Sequence, residues 1–330
     1  MPETTDEMIN VLVAANFDDD LMERIRNVSP RLNVRRQYPD IPDAMWETTE
    51  ILYSIRHFPE PDQVPELKWI QTHSAGLERA LAKDIVQSDK VVVTSTSGIH
   101  STQMAQYSLM MLLAFHYKLS AMLEFQRQST WGKADTFAPI PLENLTLGII
   151  GYGSIGRELA RLVHAMGMTV LASKRDIKRP EETKNDYTEN QTGDPDASIP
   201  ERLYPPSAIA TMVKDCDYVL LATPLTDETR HMINTEIFDA MKETAVLINV
   251  ARGGVVDEEA MIQALKKGKI AGAALDVFSQ EPLPADSPLW QMDNVLISPH
   301  ISGNSQEYHS LATDLFIANL QRYLNNDPLM

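Results

Sequence analysis

The chain has 330 residues, 43% of them hydrophobic and 23% charged, a balance typical of a soluble globular protein; at roughly 100–200 residues per domain, that length points to two domains. A formal net charge of −17 argues against nucleic acid or an anionic membrane as the main partner, because both would repel such a surface. The one cysteine, Cys216, excludes a disulfide framework within the chain and fits a reducing compartment.

Residues 1–8 are polar and acidic, with no basic segment leading into an apolar one, so no secretory signal is expected and the protein reads as cytoplasmic. Short apolar runs over 11–14, 51–55, 69–71 and 91–94 predict buried parallel strands, and amphipathic pieces over 19–28 and 77–87 lie between them. Such alternation predicts an α/β domain. From 101 to about 127 a run rich in Met, Leu and Ala predicts one long helix, either buried or at a subunit interface. Its most apolar part, 109–115, falls well short of the roughly 18 residues that a membrane span requires.

A second alternation follows, with strands over 145–150, 169–172, 218–222, 245–250, 271–277 and 295–298, and a helix over 155–166. Between Lys178 and Pro206 lies a polar stretch with five prolines, which reads as a long, mobile surface loop. The last helix is expected over 306–325, with Leu311, Leu315, Ile317, Ala318 and Leu320 at helical spacing.

Gly151-Tyr-Gly153-Ser-Ile-Gly156 is a GxGxxG sequence. Alone it is weak evidence, but here it follows an apolar strand and opens an amphipathic helix. In that context the first glycine permits the tight turn, the second lets the backbone approach a pyrophosphate, and the third allows close helix–strand packing. The helix N-terminus then faces the phosphate charge. The acidic residue that holds the ribose of NAD is expected about 20 positions on, where this chain has Ser173, Lys174 and Arg175. Cationic side chains there favour the 2′-phosphate of NADP over the hydroxyls of NAD. Asp176 follows immediately, so an offset of two residues would restore an NAD-type site.

Ligands of open parallel sheets bind at the carboxyl ends of strands, and three chemically useful residues leave such ends: Arg252, Glu281 and His300. Reducing a 2-keto acid needs a hydride, a proton for the carbonyl oxygen and a cation for the carboxylate. His300 suits the proton transfer, Glu281 would favour and orient its imidazolium, and Arg252 would bind the carboxylate and polarise the ketone.

The stretches 147–156, 222–226 with Thr229, 248–254, 274–278 with Glu281-Pro282, and 298–303 run in the order found in the D-isomer-specific 2-hydroxyacid dehydrogenases, and the chain resembles that family. The resemblance implies an α/β fold of two Rossmann-like or flavodoxin-like domains with doubly wound parallel sheets and the active site in the cleft between them. Residues 1–102 with 301–330 would bind substrate and 103–300 the dinucleotide, with a hinge near His100 and Pro299. It implies Arg252, Glu281 and His300 as the catalytic set, Ser154 and Ile155 over the pyrophosphate, and Thr223 and Pro224 lining the cofactor cleft. Thr229, Val250 and Gly303 join the cofactor set, and Asp276 would meet the nicotinamide carboxamide. Ser74-Ala75-Gly76 stands where the family receives the substrate carboxylate on backbone N–H groups. No metal is implied, and the family's habit is to dimerise through the long helix. Gln106 departs from the Glu of many members, and Glu281, a true acid, speaks against the formate dehydrogenase branch. A dinucleotide-sensing corepressor built on the same fold is the rival reading. Glyoxylate, hydroxypyruvate, pyruvate and bulkier keto acids all stay open as substrates, and His57, Phe58, His73, Ile99 and His100 are candidates for the pocket border.

Overall fold

The structure is a computed structural model that describes residues 7–183, 186–188 and 192–330. The first six residues of the polar N-terminus, and 184–185 and 189–191 of the proline-rich stretch, lie outside the described residues. Two compact units result: one holds Met1–Ile99, Lys184–Tyr187 and Ser305–Met330 as far as described, and the other holds His100–Thr183 and Thr188–Asn304.

In the first unit β1 (Ile9–Ala14), β2 (Leu32–Arg36), β3 (Ile51–Ser54), β4 (Trp69–Thr72) and β5 (Val92–Thr94) form a parallel sheet in the order β2-β1-β3-β4-β5. Alternation along each strand sorts its core. Val11, Val13, Ile51, Tyr53 and Trp69 face one layer, and Leu12, Ala14, Leu52 and Ile70 face the other. Helix α1 (Asp19–Arg26) starts where the Asp18 carboxylate accepts from the Leu21 N–H at 2.9 Å, and it buries Met22 and Ile25 against the first layer. The C-terminal helix, Tyr308–Leu324, returns to the same layer through Phe316 and Leu320. A buried polar chain docks it: Trp69 Nε1 donates to Thr94, Thr94 to Gln71 Oε1, and Asn319 to that same oxygen at 3.1 Å.

The second unit carries β6 (Thr146–Ile150), β7 (Thr169–Ser173), β8 (Arg202–Tyr204), β9 (Tyr218–Leu221), β10 (Val246–Asn249), β11 (Gly272–Leu275) and β12 (Val295–Ile297). All are parallel, in the order β12-β11-β10-β9-β6-β7-β8. The direction of winding reverses between β6 and β9, which makes a crevice at their carboxyl ends.

Three sequence expectations need correction. The long helix is two: α2 (Ser101–His116) and α3 (Leu119–Arg127), broken where Lys118 takes φ 54. The amphipathic piece over 77–87 is likewise two single turns, Glu78–Leu81 and Asp84–Gln87. The edge strands β2 and β8 carry exposed arginines, and this polarity hid them from a search for apolar runs.

The proline-rich stretch, read as mobile, is anchored at both ends of its described part. Arg157, 1% exposed within helix α4 (Ser154–Ala165), donates through its guanidinium to the carbonyl oxygens of Asp194 and Pro180. Its Nε lies 3.5 Å from Glu182, and its charge sits 4.9 Å over the Tyr152 ring. The Tyr152 hydroxyl donates to Asp194 at 2.6 Å, and the N–H groups of Ser198 and Ile199 donate to the same carboxylate. Among the described residues no helix is long and apolar enough to cross a membrane.

Candidate active site

The glycine turn follows β6, at the point where winding reverses. Gly151 has φ 103, and a Cβ there would lie 2.6 Å from the Ala222 backbone, so the turn can press against the end of β9 only as glycine. A Cβ on Gly156 would come 2.6 Å from the Gly151 carbonyl oxygen, whereas a Cβ on Gly153 would meet nothing within 4 Å. Gly153 is also the N-cap of α4 and supplies no side-chain cap. The first N–H groups of α4, from Ser154 and Ile155, therefore border open space at the positive end of a twelve-residue helix. This is the cradle that a dinucleotide pyrophosphate fits.

At the end of β7, Ser173 is buried and its carbonyl accepts from the N–H groups of Gly151 and Tyr152. The Lys174 ammonium donates to the Pro180 carbonyl at 3.0 Å, and Arg175 is exposed. Asp176 is occupied by its own turn: its carboxylate accepts from the N–H groups of Lys178 and Arg179 and from Arg179 Nε. Those donors, the Lys178 N–H foremost, hold its pKa below the usual aspartate range. Thr229 Oγ1 bridges the Pro224 carbonyl and the Thr226 N–H, which fixes the loop that carries Thr223 and Pro224. Val250 packs in the core at 2% exposure, so only its main chain can reach a ligand.

Arg252 begins the loop after β10, with its guanidinium turned back onto the Ala251 carbonyl at 2.7 Å. A Cβ on Gly253 would fall 1.8 Å from the Phe278 carbonyl carbon. The loop after Arg252 thus lies directly against the one that leads from β11 to Glu281. Glu281 accepts from the Phe278 N–H at 3.1 Å with one oxygen, and its other oxygen is 2.7 Å from His300 Nδ1. Glu281 and His300 are therefore a hydrogen-bonded pair, 35% and 47% exposed in their side chains. An ionised carboxylate can only accept, so Nδ1 carries the proton of that bond and Nε2 is left for chemistry.

His300 has φ 55, a conformation that costs a β-carbon residue roughly 1–2 kcal/mol. The buried Asp276 offsets this by accepting from the next two N–H groups, Ile301 at 2.8 Å and Ser302 at 2.9 Å, and from Ser298 Oγ at 2.6 Å. Gly303 closes the segment, with its carbonyl accepting from His100 Nδ1 at 3.2 Å. Burial lowers the pKa of His100, and although the Gly303 carbonyl opposes that, the nearby Arg252 charge adds to it. Among the candidates for the pocket border, His100 is thus placed beside Arg252.

Ser74, Ala75 and Gly76 belong to the first unit, directly after β4. Ser74 Oγ donates to the Gly76 carbonyl at 2.8 Å, and Thr72 Oγ1 to the Ser74 carbonyl at 2.9 Å. Among the described residues the N–H groups of Ala75 and Gly76 take part in no hydrogen bond. Sequence reasoning missed Tyr107, Ser298, Arg157 and Asp194 as site-supporting residues. Only two carried a local signal: Ser298 belongs to the matching stretch 298–303, and Arg157 directly follows the motif at 151–156.

Comparison with known proteins gives the family. The family model described as "D-isomer specific 2-hydroxyacid dehydrogenase, NAD binding domain" matches residues 109–302. A glyoxylate reductase of Thermofilum pendens is 35% identical over 271 residues, which cover 81% of this chain and 74% of that protein. A glyoxylate/hydroxypyruvate reductase B of an Enterobacter species is 34% identical over 81% of this chain and 78% of its own length. A solved structure of a D-isomer specific 2-hydroxyacid dehydrogenase from Xanthobacter autotrophicus, in complex with NADPH and MES, superposes with a TM-score of 0.79 at 27% identity and covers 97% of each chain. The chain belongs to the D-isomer-specific 2-hydroxyacid dehydrogenase family and is an NAD(P)-dependent oxidoreductase of that family.

Proposed function

We propose that this chain reduces small 2-keto acids of the glyoxylate and hydroxypyruvate class, with His300 as the proton donor and NADPH preferred. The observation that carries the reading is the 2.7 Å bond between His300 Nδ1 and Glu281. Bound nicotinamide supplies the hydride. Glu281 holds the imidazole by Nδ1, so that Nε2 gives its proton to the ketone oxygen as the hydroxyl forms. Arg252 takes the substrate carboxylate and draws charge from the ketone, and the family resemblance gives the N–H groups after β4, at Ser74, Ala75 and Gly76, a carboxylate-binding role as well. In the oxidative direction neutral His300 takes the hydroxyl proton back. Residues 103–300 form the dinucleotide domain and the terminal segments the substrate domain. Gly151 to Gly156 hold the pyrophosphate, and Thr223, Pro224, Thr229 and the Val250 main chain border the nicotinamide half with Gly303, while the buried Asp276 acts from behind through the segment it holds.

The NADP preference rests on Asp176, whose carboxylate already takes three donors from its own turn, and on the cations Lys174 and Arg175 beside the buried Ser173. The names of the relatives support the substrate class, and the NADPH in the Xanthobacter structure supports the cofactor. Steady-state oxidation of NADPH and NADH with glyoxylate, hydroxypyruvate and 2-ketoisocaproate tests both points. We expect kcat/KM at least about tenfold higher with NADPH, a difference of about 1.4 kcal/mol. Equal rates would remove Lys174 and Arg175 from cofactor choice. Tight cofactor binding without turnover of any keto acid would favour the corepressor-like reading.

A homodimer belongs to the same reading. Met110, Tyr117, Leu119, Leu123, Trp131 and Ile140 are all more than 40% exposed, and Trp131 reaches 97%. So much apolar surface along 110–140 suits burial against a second copy. Light scattering should give twice the 37.0 kDa chain mass, and a monomer at micromolar concentration would overturn the assignment.

A further inference from the structure

The segment that carries His300 is gripped by helix α2 at two places, and one grip runs through a hydrogen-bonded chain. The Tyr107 hydroxyl meets Ser298 Oγ, and Ser298 Oγ donates to Asp276 Oδ1 at 2.6 Å. A serine hydroxyl has one proton, and here it is spent on the carboxylate. Tyr107 must therefore be the donor to Ser298. The Asp276 carboxylate, 0% exposed, then holds the N–H groups of Ile301 and Ser302, the two residues that follow His300. At the far end His100, the N-cap of the same helix, binds the Gly303 carbonyl. His300 sits between these anchors in a left-handed conformation that its own backbone would not choose.

We propose that Tyr107 is a positioning residue for the His300 proton donor, acting through Ser298 and Asp276. The inference rests on His300 being the acid/base of the reaction. Without the Tyr107 hydroxyl, Ser298 Oγ loses its donor and can swing away from Asp276. Asp276 then holds Ile301 and Ser302 with a less constrained carboxylate, and the imidazole drifts relative to Glu281 and to the ketone oxygen. Burial pushes the Tyr107 hydroxyl up to about 12, so it stays a donor across the working range. Chains of polarised hydrogen bonds of this kind act as units, which makes one hydroxyl count beyond its own bond.

The test uses the full chain with Tyr107→Phe, Ser298→Ala, Ser298→Thr and His300→Gln. We expect Tyr107→Phe to lower kcat about tenfold, with the keto-acid KM and the NADPH Kd within about twofold and Tm within a few degrees. Ser298→Ala should behave alike, and Ser298→Thr, which keeps the hydroxyl, should recover most of the loss. Spectra of ¹⁵N-labelled histidine, with His300 assigned from His300→Gln, give a readout that needs no turnover. The His300 Nδ1 and Nε2 signals should be distinct in the parent and move toward an averaged pair in Tyr107→Phe. Unchanged kcat and an unchanged His300 spectrum in Tyr107→Phe overturn the inference. So does a loss in which kcat and Tm fall while KM rises, because that marks a merely structural hydroxyl. If His300→Gln retains full turnover, the acid/base reading itself falls, a result separate from the Tyr107 series.

Discussion

His300→Gln is expected to lower kcat for keto-acid reduction by about 10³-fold, the usual weight of a positioned general acid, and to leave NADPH affinity within about twofold. Glutamine is close to histidine in reach and keeps a donor for Glu281, so the loop held by Asp276 has no reason to move. What it lacks is a proton that can leave: a carboxamide N–H is far too weakly acidic to protonate a forming alkoxide near neutral pH. The cradle at Gly153 and the start of α4 lies after β6, on different elements from β12 and its loop, which is why cofactor binding should survive. Fluorescence titration with NADPH gives the affinity, and steady-state rates with glyoxylate give kcat. Residual turnover above a tenth of the parent would mean that the proton comes from elsewhere. Water or His100 would then be the next group to test.

Much of this site was legible in the sequence because its parts are local. The three roles of Gly151, Gly153 and Gly156 follow from a strand, a turn and a helix within a dozen residues, and the structure gives each glycine the space or contact its role requires. Arg252, Glu281 and His300 could be read because parallel strands send their ends to one edge. The pairing of Glu281 with His300 followed from chemistry that wants an acceptor behind an imidazole.

Contacts between distant residues were not legible. Tyr107 and Ser298 are 191 residues apart, and in the sequence Tyr107 is one more large residue in an apolar helix. His100 meets Gly303 across 203 residues. The break at Lys118 has no glycine or proline to mark it, so the apolar periodicity ran on through it. Arg157 stands beside the glycine motif, but its burial was not legible, since an arginine on a surface-type helix is ordinarily solvated and this one is not.

That buried arginine carries the second large effect. Arg157→Met is expected to destabilise the second unit by about 3–5 kcal/mol, the range for breaking a buried charge network by removing one partner. Methionine fills most of the volume but donates nothing. The carbonyls of Pro180 and Asp194 lose the guanidinium and keep only the Lys174 ammonium and the Ala197 N–H, and Glu182, 17% exposed, loses its cation. Arg157→Lys should rescue little, because a single ammonium cannot reproduce a fork that reaches two carbonyls and a carboxylate. The measured consequence should be a Tm lower by roughly 6–20 °C.

The cofactor should register the change too, since Lys174 donates to the same Pro180 carbonyl as Arg157. Loosening the segments around Pro180 and Asp194 should raise the KM for NADPH more than that for the keto acid. Asp194 adds a pH signature. Burial alone would raise its pKa, but donation from Tyr152, Ile199 and Ser198 outweighs that and lowers it. The stability it contributes is therefore present above the ordinary aspartate value of about 3.9 and fades as pH falls through its lower folded value. A Tyr152→Phe variant should lose stability at neutral pH and converge with the parent in acid. If Arg157→Met instead melts within 2 °C of the parent with an unchanged NADPH KM, the anchored segment is held by Asp194 and its main-chain donors alone.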